Sequence, residues 1–398
     1  MKRERRLPAA QILYTMMQIC YWTGGCIALG FAAAFLHDMG FDNARVGLIS
    51  ASSSLLGFVL MLGVSARIDR AGTGAVNRWV CGLVLAQSVV LAGLLSAEKP
   101  GVTAALCYTL YMALTLVLSS LLSKLYIDLR RAGIPIRLGL ARGLGSLGYA
   151  LASLSAGFLM GTLPDLGILG IGHGLFLLTA LLAVLLRKDT ADAGETEAAS
   201  ATEKRAPVRE LLRSSPLFLL LVAGVSLVSA ANRTVTVFLV NVVENVGGDM
   251  RSFGAVSSYL ALLEVPVIFL FAQMKKRWSL SALLVTSMLF YTLKLGGFVL
   301  AGSVPMLLLA SSLHAFSTGI FQPASVEYVR ETIPHRCTAT AQGLMTGVPL
   351  FLSAATTVLF GSMLDGSSVS ATLLLLLAAA ALGTALCLAA VLRLRKAD

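Results

Sequence analysis

Four charged side chains stand well inside long apolar runs of this 398-residue sequence: Arg142, Arg233, Glu264 and Lys294. His314 adds a titratable position of the same kind. A charge at the centre of a membrane-spanning helix costs roughly 2.5–3.5 kcal/mol on insertion scales, so each is a candidate functional residue. Glu264, in LALLEVPVIFL, has apolar neighbours on both sides. An acid so placed can bind and release a proton, as coupling to a proton gradient requires; the alternative is a permanent pair with Lys294 or Arg233. His314 can relay protons, because an imidazole titrates near pH 6.5, or it can pack as an ordinary hydrogen-bonded residue.

Arg142 offers five donors in a planar fork, suited to bidentate contact with hydroxyls or a carboxylate. Its alternative is a plain ion pair with Asp128, at the end of the preceding apolar run. Lys294, in FYTLKLGGF, stands about two turns from either end of its run, which disfavours snorkelling. Arg233 follows Asn232, where polar residues facing a passage are expected. Gln11, Tyr14, Gln18 and Tyr21 fall at helical spacing and form a polar-aromatic stripe, fit either to line a cavity or to hydrogen-bond a neighbouring helix. Three interior cations against one carboxylate would suit an anionic solute, although Lys124, Asp128 and Glu327 lie near enough to alter that sum.

The elements that must carry these residues follow from composition. Hydrophobic residues make up 57% of the chain and charged ones only 13%, against about 25% in soluble domains. So few charges cannot cover a water-facing surface of this size, and the class is a polytopic membrane protein. About 20 apolar residues cross a bilayer as a helix. Twelve runs qualify: 9–36, 44–66, 76–97, 101–127, 137–161, 167–187, 212–243, 252–274, 279–301, 304–329, 338–363 and 369–392. The start, MKRERRLP, reads as an uncleaved cytoplasmic end. Lys and Arg concentrate there, in the even-numbered connections and in the tail, which places both termini in the cytoplasm of a multi-pass plasma-membrane protein.

This clustering is a topology signal, so the net charge of +11 does not imply nucleic acid as a partner. The six cysteines show no CxxC and suit buried apolar positions, so neither a disulfide framework nor a metal site is expected. No GxxxxGK[ST] phosphate loop occurs, so energy would come from a gradient, and no cofactor or enzyme activity is expected. The stretch Gly143-Leu-Gly145-Ser-Leu-Gly148 spells a dinucleotide fingerprint, but it follows an Ile-Pro turn and runs on into an apolar span. Gly148, Ala152 and Ala156 recur at every fourth position, as do Ser153, Gly157 and Gly161. Such small-residue spacing builds a surface for close helix contact.

Residues 188–210 are polar and Ala-rich, a flexible linker between an N-terminal half (1–187) and a C-terminal half (211–398). The halves repeat. Displaced by 207 positions, Gly40, Asp42, Gly47, Ser50 and Arg70 fall on Gly247, Asp249, Gly254, Ser257 and Arg277. Displaced by 199, Asp128-x-x-Arg131-x-x-Ile134-Pro135-x-Arg137 falls on Glu327-x-x-Arg330-x-x-Ile333-Pro334-x-Arg336. Two six-span halves of like topology mark a transporter built from parallel repeats, with its substrate site near mid-membrane.

Gly63-Val-Ser-Ala-Arg67-Ile-Asp69-Arg70-Ala-Gly72 resembles the G-x-x-x-D-R-x-G loop of the major facilitator superfamily, with Ser65 at the usual place of the first glycine. Ala141-Arg142 through Tyr149, Glu264-Val-Pro266 and Leu313-His314-Ala-Phe316 resemble the branch that holds lactose permease and the nucleoside–proton symporters. The resemblance covers nearly the whole chain and implies an all-α fold of twelve transmembrane helices in two pseudo-repeated halves. It implies alternating access and proton symport of a small polar solute, by a monomer in the lipid bilayer.

By the same resemblance Glu264, His314 and Lys294 would couple protons. Arg142, Arg233, Asn232, Gln18, Tyr14 and Tyr21 would bind substrate. Asp69, Arg70, Asp128, Arg131, Glu327 and Arg330 would form a cytoplasmic gate, where the alternative is ordinary surface charge. Two departures matter: Ser317 stands where the permease has an acid after its histidine, and Lys124 where it has the partner acid of its arginine. Galactoside specificity therefore does not carry over. Span five lacks the GPxxGG of drug–proton antiporters, which lowers the rival reading as an exporter; a non-transporting sensor or scaffold is the reading from another class.

Overall fold

The computed structural model describes residues 2–71, 75–160, 162–191, 216–334 and 337–397. Among the described residues all regular structure is helical, apart from one isolated bridge between Met160 and Leu163. Contacts divide the chain into two units, Met1–Asp42 with Ile49–Ser200, and Asn43–Leu48 with Ala201–Asp398.

In the first unit α1 (Lys2–Gly25) passes through a π-helical turn (Cys26–Gly30) into α2 (Ala32–Asp38). Then follow α3 (Asn43–Ala71), α4 (Ala75–Ser96), α5 (Val102–Arg131), α6 (Leu138–Leu159) and α7 (Asp165–Ala191). Helix α1 packs on α6 and α7, and α4 on α5 and α7. The second unit holds α8 (Pro216–Val237), α9 (Leu239–Asn245), α10 (Met250–Arg277), α11 (Leu280–Leu300), α12 (Val304–Ser311), α13 (His314–Thr332), α14 (Thr338–Leu364) and α15 (Val369–Ala397). Here α8 packs on α14 and α15, α11 on α13 and α15, and α10 on α13. The first two turns of α3, Asn43–Leu48, belong with this unit, where the Asp365 carboxylate accepts from the backbone N–H groups of Asn43 (3.1 Å) and Ala44 (2.9 Å).

The repeat reaches the backbone. Phe31, after the π turn, and Phe238, after α8, interrupt their helices with the same φ of −100°. Gly40 and Gly247 then end the short helices that follow, at φ +86° and +79°. In each, the glycine N–H donates to the carbonyl three residues back, and the next N–H to the carbonyl five back. This is a Schellman cap, which needs a left-handed residue and so favours glycine. Asp249 then starts α10: its carboxylate accepts from the Ser252 backbone N–H and hydroxyl, each at 2.8 Å. Those bonds, the backbone one foremost, hold its carboxyl below the usual carboxylate range.

Among the described residues ten helices are long and apolar enough to cross a membrane, or eleven if Met250–Val267 and Leu270–Arg277, bent by 55°, are taken as one span. Pro266 lies inside the helix just before that break. The count of twelve is thus not reached by length and composition; the run at 137–161 forms α6 but is not among the apolar spans. Its glycines, serines and Arg142 dilute its apolar character. The tenth predicted run is one span, Val304–Thr332, in which Ser312 and Leu313, both in helical conformation, form a turn between α12 and α13. Large apolar side chains such as Val89, Leu106, Leu309, Leu359 and Leu382 are exposed, as lipid-facing residues must be.

The side chains of Asp69, Arg70 and Arg131 lie outside the described residues, as do Gly161, Arg336 and residues 192–210 of the linker.

Candidate functional site

In the second unit the interior candidates form one hydrogen-bonded chain. His314, at the first position of α13 after the Ser312–Leu313 turn, bonds through Nε2 to Glu264 Oε1 on α10 at 2.9 Å. Its Nδ1 faces Lys294 Nζ on α11 at 3.1 Å. Lys294 also donates to Asn232 Oδ1 on α8. The Lys294 ammonium lies 5.4 Å from the centre of the Tyr291 ring, and Tyr291 OH shares a 2.8 Å bond with Thr318 Oγ1 on α13. Tyr259 OH, on α10, bonds Ser312 Oγ at 2.9 Å and ties the turn before His314 to the helix that carries Glu264.

The partners dictate the tautomer. Lys294 is a donor only, so it needs a lone pair on Nδ1; an ionised Glu264 is an acceptor only, so it needs the proton on Nε2. The imidazole is then neutral, with both ring nitrogens hydrogen-bonded. Lys294 and His314 are buried, 3% and 8% exposed, so the lysine does not snorkel. Arg233, next to Asn232 on α8, is exposed and makes no ion pair among the described residues. Its charge nevertheless acts on the Tyr291 hydroxyl, beside Lys294.

In the first unit the polar stripe of α1 faces α5 and α6. Trp22 Nε1 donates to Gln18 Oε1 (3.0 Å), Gln18 Nε2 to Tyr14 OH (2.9 Å), and Tyr14 OH to the Leu122 carbonyl (3.2 Å). Tyr21 OH donates to the Thr115 carbonyl at 3.2 Å. Gln11 Oε1 accepts from the Arg137 backbone N–H at 2.6 Å, at the start of α6. The stripe therefore hydrogen-bonds neighbouring helices, and Tyr14, Gln18 and Tyr21 also line a cavity of about 70 Å³ with Trp22, Ser119, Tyr126 and Arg142. Arg142 lies over the Trp22 ring, 4.9 Å from its centre. It does not pair with Asp128, which lies 3.4 Å from Lys124 on its own helix. A Cβ on Gly145 would stand 2.6 Å from Trp22 Cδ1, and one on Gly148 2.7 Å from Thr23 Oγ1. The glycine run of α6 is thus the surface on which α1 rests.

Glu327, near the end of α13, pairs with Lys275 at the end of α10 and with Arg330 at 2.8 Å. Lys275 also reaches Glu331. Sequence reasoning overlooked Lys275, which reads as topology charge in Lys275-Lys276-Arg277; the acids Glu327 and Glu331, one helical turn apart, are the signal that an outside cation joins them. It overlooked Trp22 too, although positions 14, 18 and 22 continue the stripe better than 21 does.

Among the described residues no group of His, Cys, Asp and Glu could hold a metal ion. The model of the MFS_1 like family matches residues 14–391. The chain belongs to that family. Its fold is the major facilitator fold, shared with a point mutant of the nucleoside transporter NupG: 14% identity over 96% of this chain and 99% of that one, TM-score 0.76. The POT family transporter PepTSo gives 13% identity, 98% coverage of each chain and a TM-score of 0.75. A bacterial homologue of the iron transporter ferroportin gives 15% identity, 96% and 98% coverage, and a TM-score of 0.71. No curated protein sequence matches the chain. This member of the MFS_1 like family is a multi-pass membrane transporter of the major facilitator kind.

Proposed function

We propose that the protein carries a small polar solute inward across the plasma membrane together with protons, by alternating access, and that it does so as a carrier rather than an enzyme. The observation that supports this best is the chain Glu264–His314–Lys294–Asn232. A proton arriving on Glu264 removes the anion that the imidazole N–H bonds. Lys294 is left with no counter-charge in that chain, and a buried cation without one is costly, so the helices must rearrange or a ligand must intervene. That link between protonation and conformation is what symport needs. In this reading Glu264, His314 and Lys294 couple protons, and Arg142, Arg233, Asn232, Gln18, Tyr14 and Tyr21 surround the solute.

The termini lie in the cytoplasm by the distribution of Lys and Arg. The Lys275–Glu327–Arg330 cluster then sits on the cytoplasmic side, as part of the gate with Asp69, Arg70, Asp128 and Arg131. The nucleoside transporter NupG and the homologue of an iron transporter share the fold with different cargoes, so cargo is not inherited from fold.

The test uses proteoliposomes loaded with a pH-sensitive dye and offered nucleosides, sugars and carboxylates. A solute that brings protons in with it identifies the cargo. Glu264→Gln should abolish gradient-driven accumulation of that solute yet spare its exchange. Unchanged accumulation in the variant removes Glu264 from the mechanism, and outward-directed flux reverses the assigned direction.

A further inference from the structure

We propose that the cavity of the first unit binds the carboxylate of a small organic acid, with Arg142 as its anchor; this rests on the transporter reading above. Arg142 is the one formally charged residue among those lining the cavity. It makes no ion pair among the described residues, and its recorded partner is the face of Trp22, 4.9 Å away. The charges that confuse the count in sequence cancel in space. Lys124 and Asp128 stand 3.4 Å apart, and Glu327 belongs to Lys275 and Arg330. In the first unit this leaves Arg142 exposed and reachable, with no carboxylate paired to it among the described residues; Arg233, likewise unpaired there, belongs to the second unit.

Three of the other polar groups are already engaged with one another or with the backbone. Trp22 donates to Gln18, Gln18 to Tyr14, and Tyr14 to the Leu122 carbonyl. That closed series holds the indole plane against the guanidinium and leaves the fork of Arg142 to offer donors. The Tyr126 hydroxyl, also on the cavity wall, makes no hydrogen bond among the described residues and adds another donor. A guanidinium has five donors and no acceptor, so its best complement is a planar anion that accepts two parallel bonds. A neutral polyol can bond the hydroxyls of this wall but carries no charge to match the guanidinium, and hydrogen bonds between two ions are the stronger ones. One water takes about 10–15 Å³ of such space, so the cavity holds roughly five, enough for a carboxylate and a few carbons.

The test reads binding without any gradient. The chain has three tryptophans, so Trp79→Phe with Trp278→Phe leaves Trp22 as the reporter in otherwise full-length, detergent-purified protein. Its fluorescence is titrated with benzoate and L-lactate, each against its neutral amide, and with inorganic phosphate. At least one carboxylate should give a saturable change at least tenfold tighter than its amide. Arg142→Gln should remove that preference, and Arg142→Lys should retain a weakened one. Equal binding of acid and amide overturns the proposal. So does carboxylate binding indifferent to Arg142→Gln, binding of phosphate alone, or no binding of either acid. Arg142→Lys stands in if Arg142→Gln fails to purify as a folded monodisperse protein. Carboxylate binding that persists in a protein without proton-coupled flux would sink the symport reading and leave this site standing.

Discussion

With Nε2–H of His314 turned to Glu264 and Nδ1 accepting from Lys294, a neutral ring separates an ammonium from a carboxylate. The charges balance through the imidazole, so each makes the other tolerable in an apolar interior. Removing one partner of a fully buried ion pair typically costs about 3–5 kcal/mol, whereas removing both is often nearly neutral; the cost is smaller here, where Glu264 is part-exposed and the ring intervenes. Lys294→Met alone should therefore lower thermal stability in detergent markedly and lose proton-coupled uptake. Combining it with Glu264→Gln should restore most of the stability and none of the coupling. A double variant no more stable than Lys294→Met would show that the two charges do not compensate each other. Part of this was readable beforehand. Glu264, His314 and Lys294 stand out as titratable residues in apolar runs, each on a different helix. Their order along one chain was not, because it depends on which faces of α10, α11 and α13 meet, and residues 50 and 20 positions apart carry no register signal.

At the scale of elements, the two units share their punctuation more closely than their sequence. Phe31 and Phe238 break helices alike, and Gly40 and Gly247 cap the next ones alike. The repeat of glycines at 40 and 247 was visible in sequence; the helix breaks were not, since no proline marks them. Phenylalanine carries no breaking signal; Phe238 is buried, its ring tilted against Phe360 with centres 5.3 Å apart. A left-handed backbone costs a residue with a Cβ about 1–2 kcal/mol. Gly247→Ala should cost about that much, because no atom crowds its site, and it should lower the unfolding temperature accordingly. Gly40→Ala should cost more, since its Cβ would also stand 3.3 Å from Pro100 Cδ. Equal, negligible losses at both would contradict the Schellman assignment. The α6 run shows the opposite case: apolarity alone does not count it as a span, yet its small residues foretold its close contact with α1.

For the whole molecule, the lack of an ion pair at Arg142 among the described residues reaches as far as electrophysiology. Moving one elementary charge through a membrane potential involves about 2.3 kcal/mol per 100 mV. A proton carried with a neutral sugar or nucleoside moves net positive charge, so accumulation would follow voltage as well as the pH difference. A proton carried with a monovalent carboxylate moves none. If the resident guanidinium of α6 selects an acid, one-to-one symport is electrically silent. Liposomes clamped with potassium and valinomycin should then accumulate the acid in proportion to the pH difference alone, indifferent to a potential of about 100 mV of either sign. A transport current on a supported membrane, rising with interior negativity, would instead report a neutral cargo or more than one proton per cycle. If Arg142 anchors an acid as proposed, that one side chain would set whether the cell drives this carrier with its acidity or with its voltage.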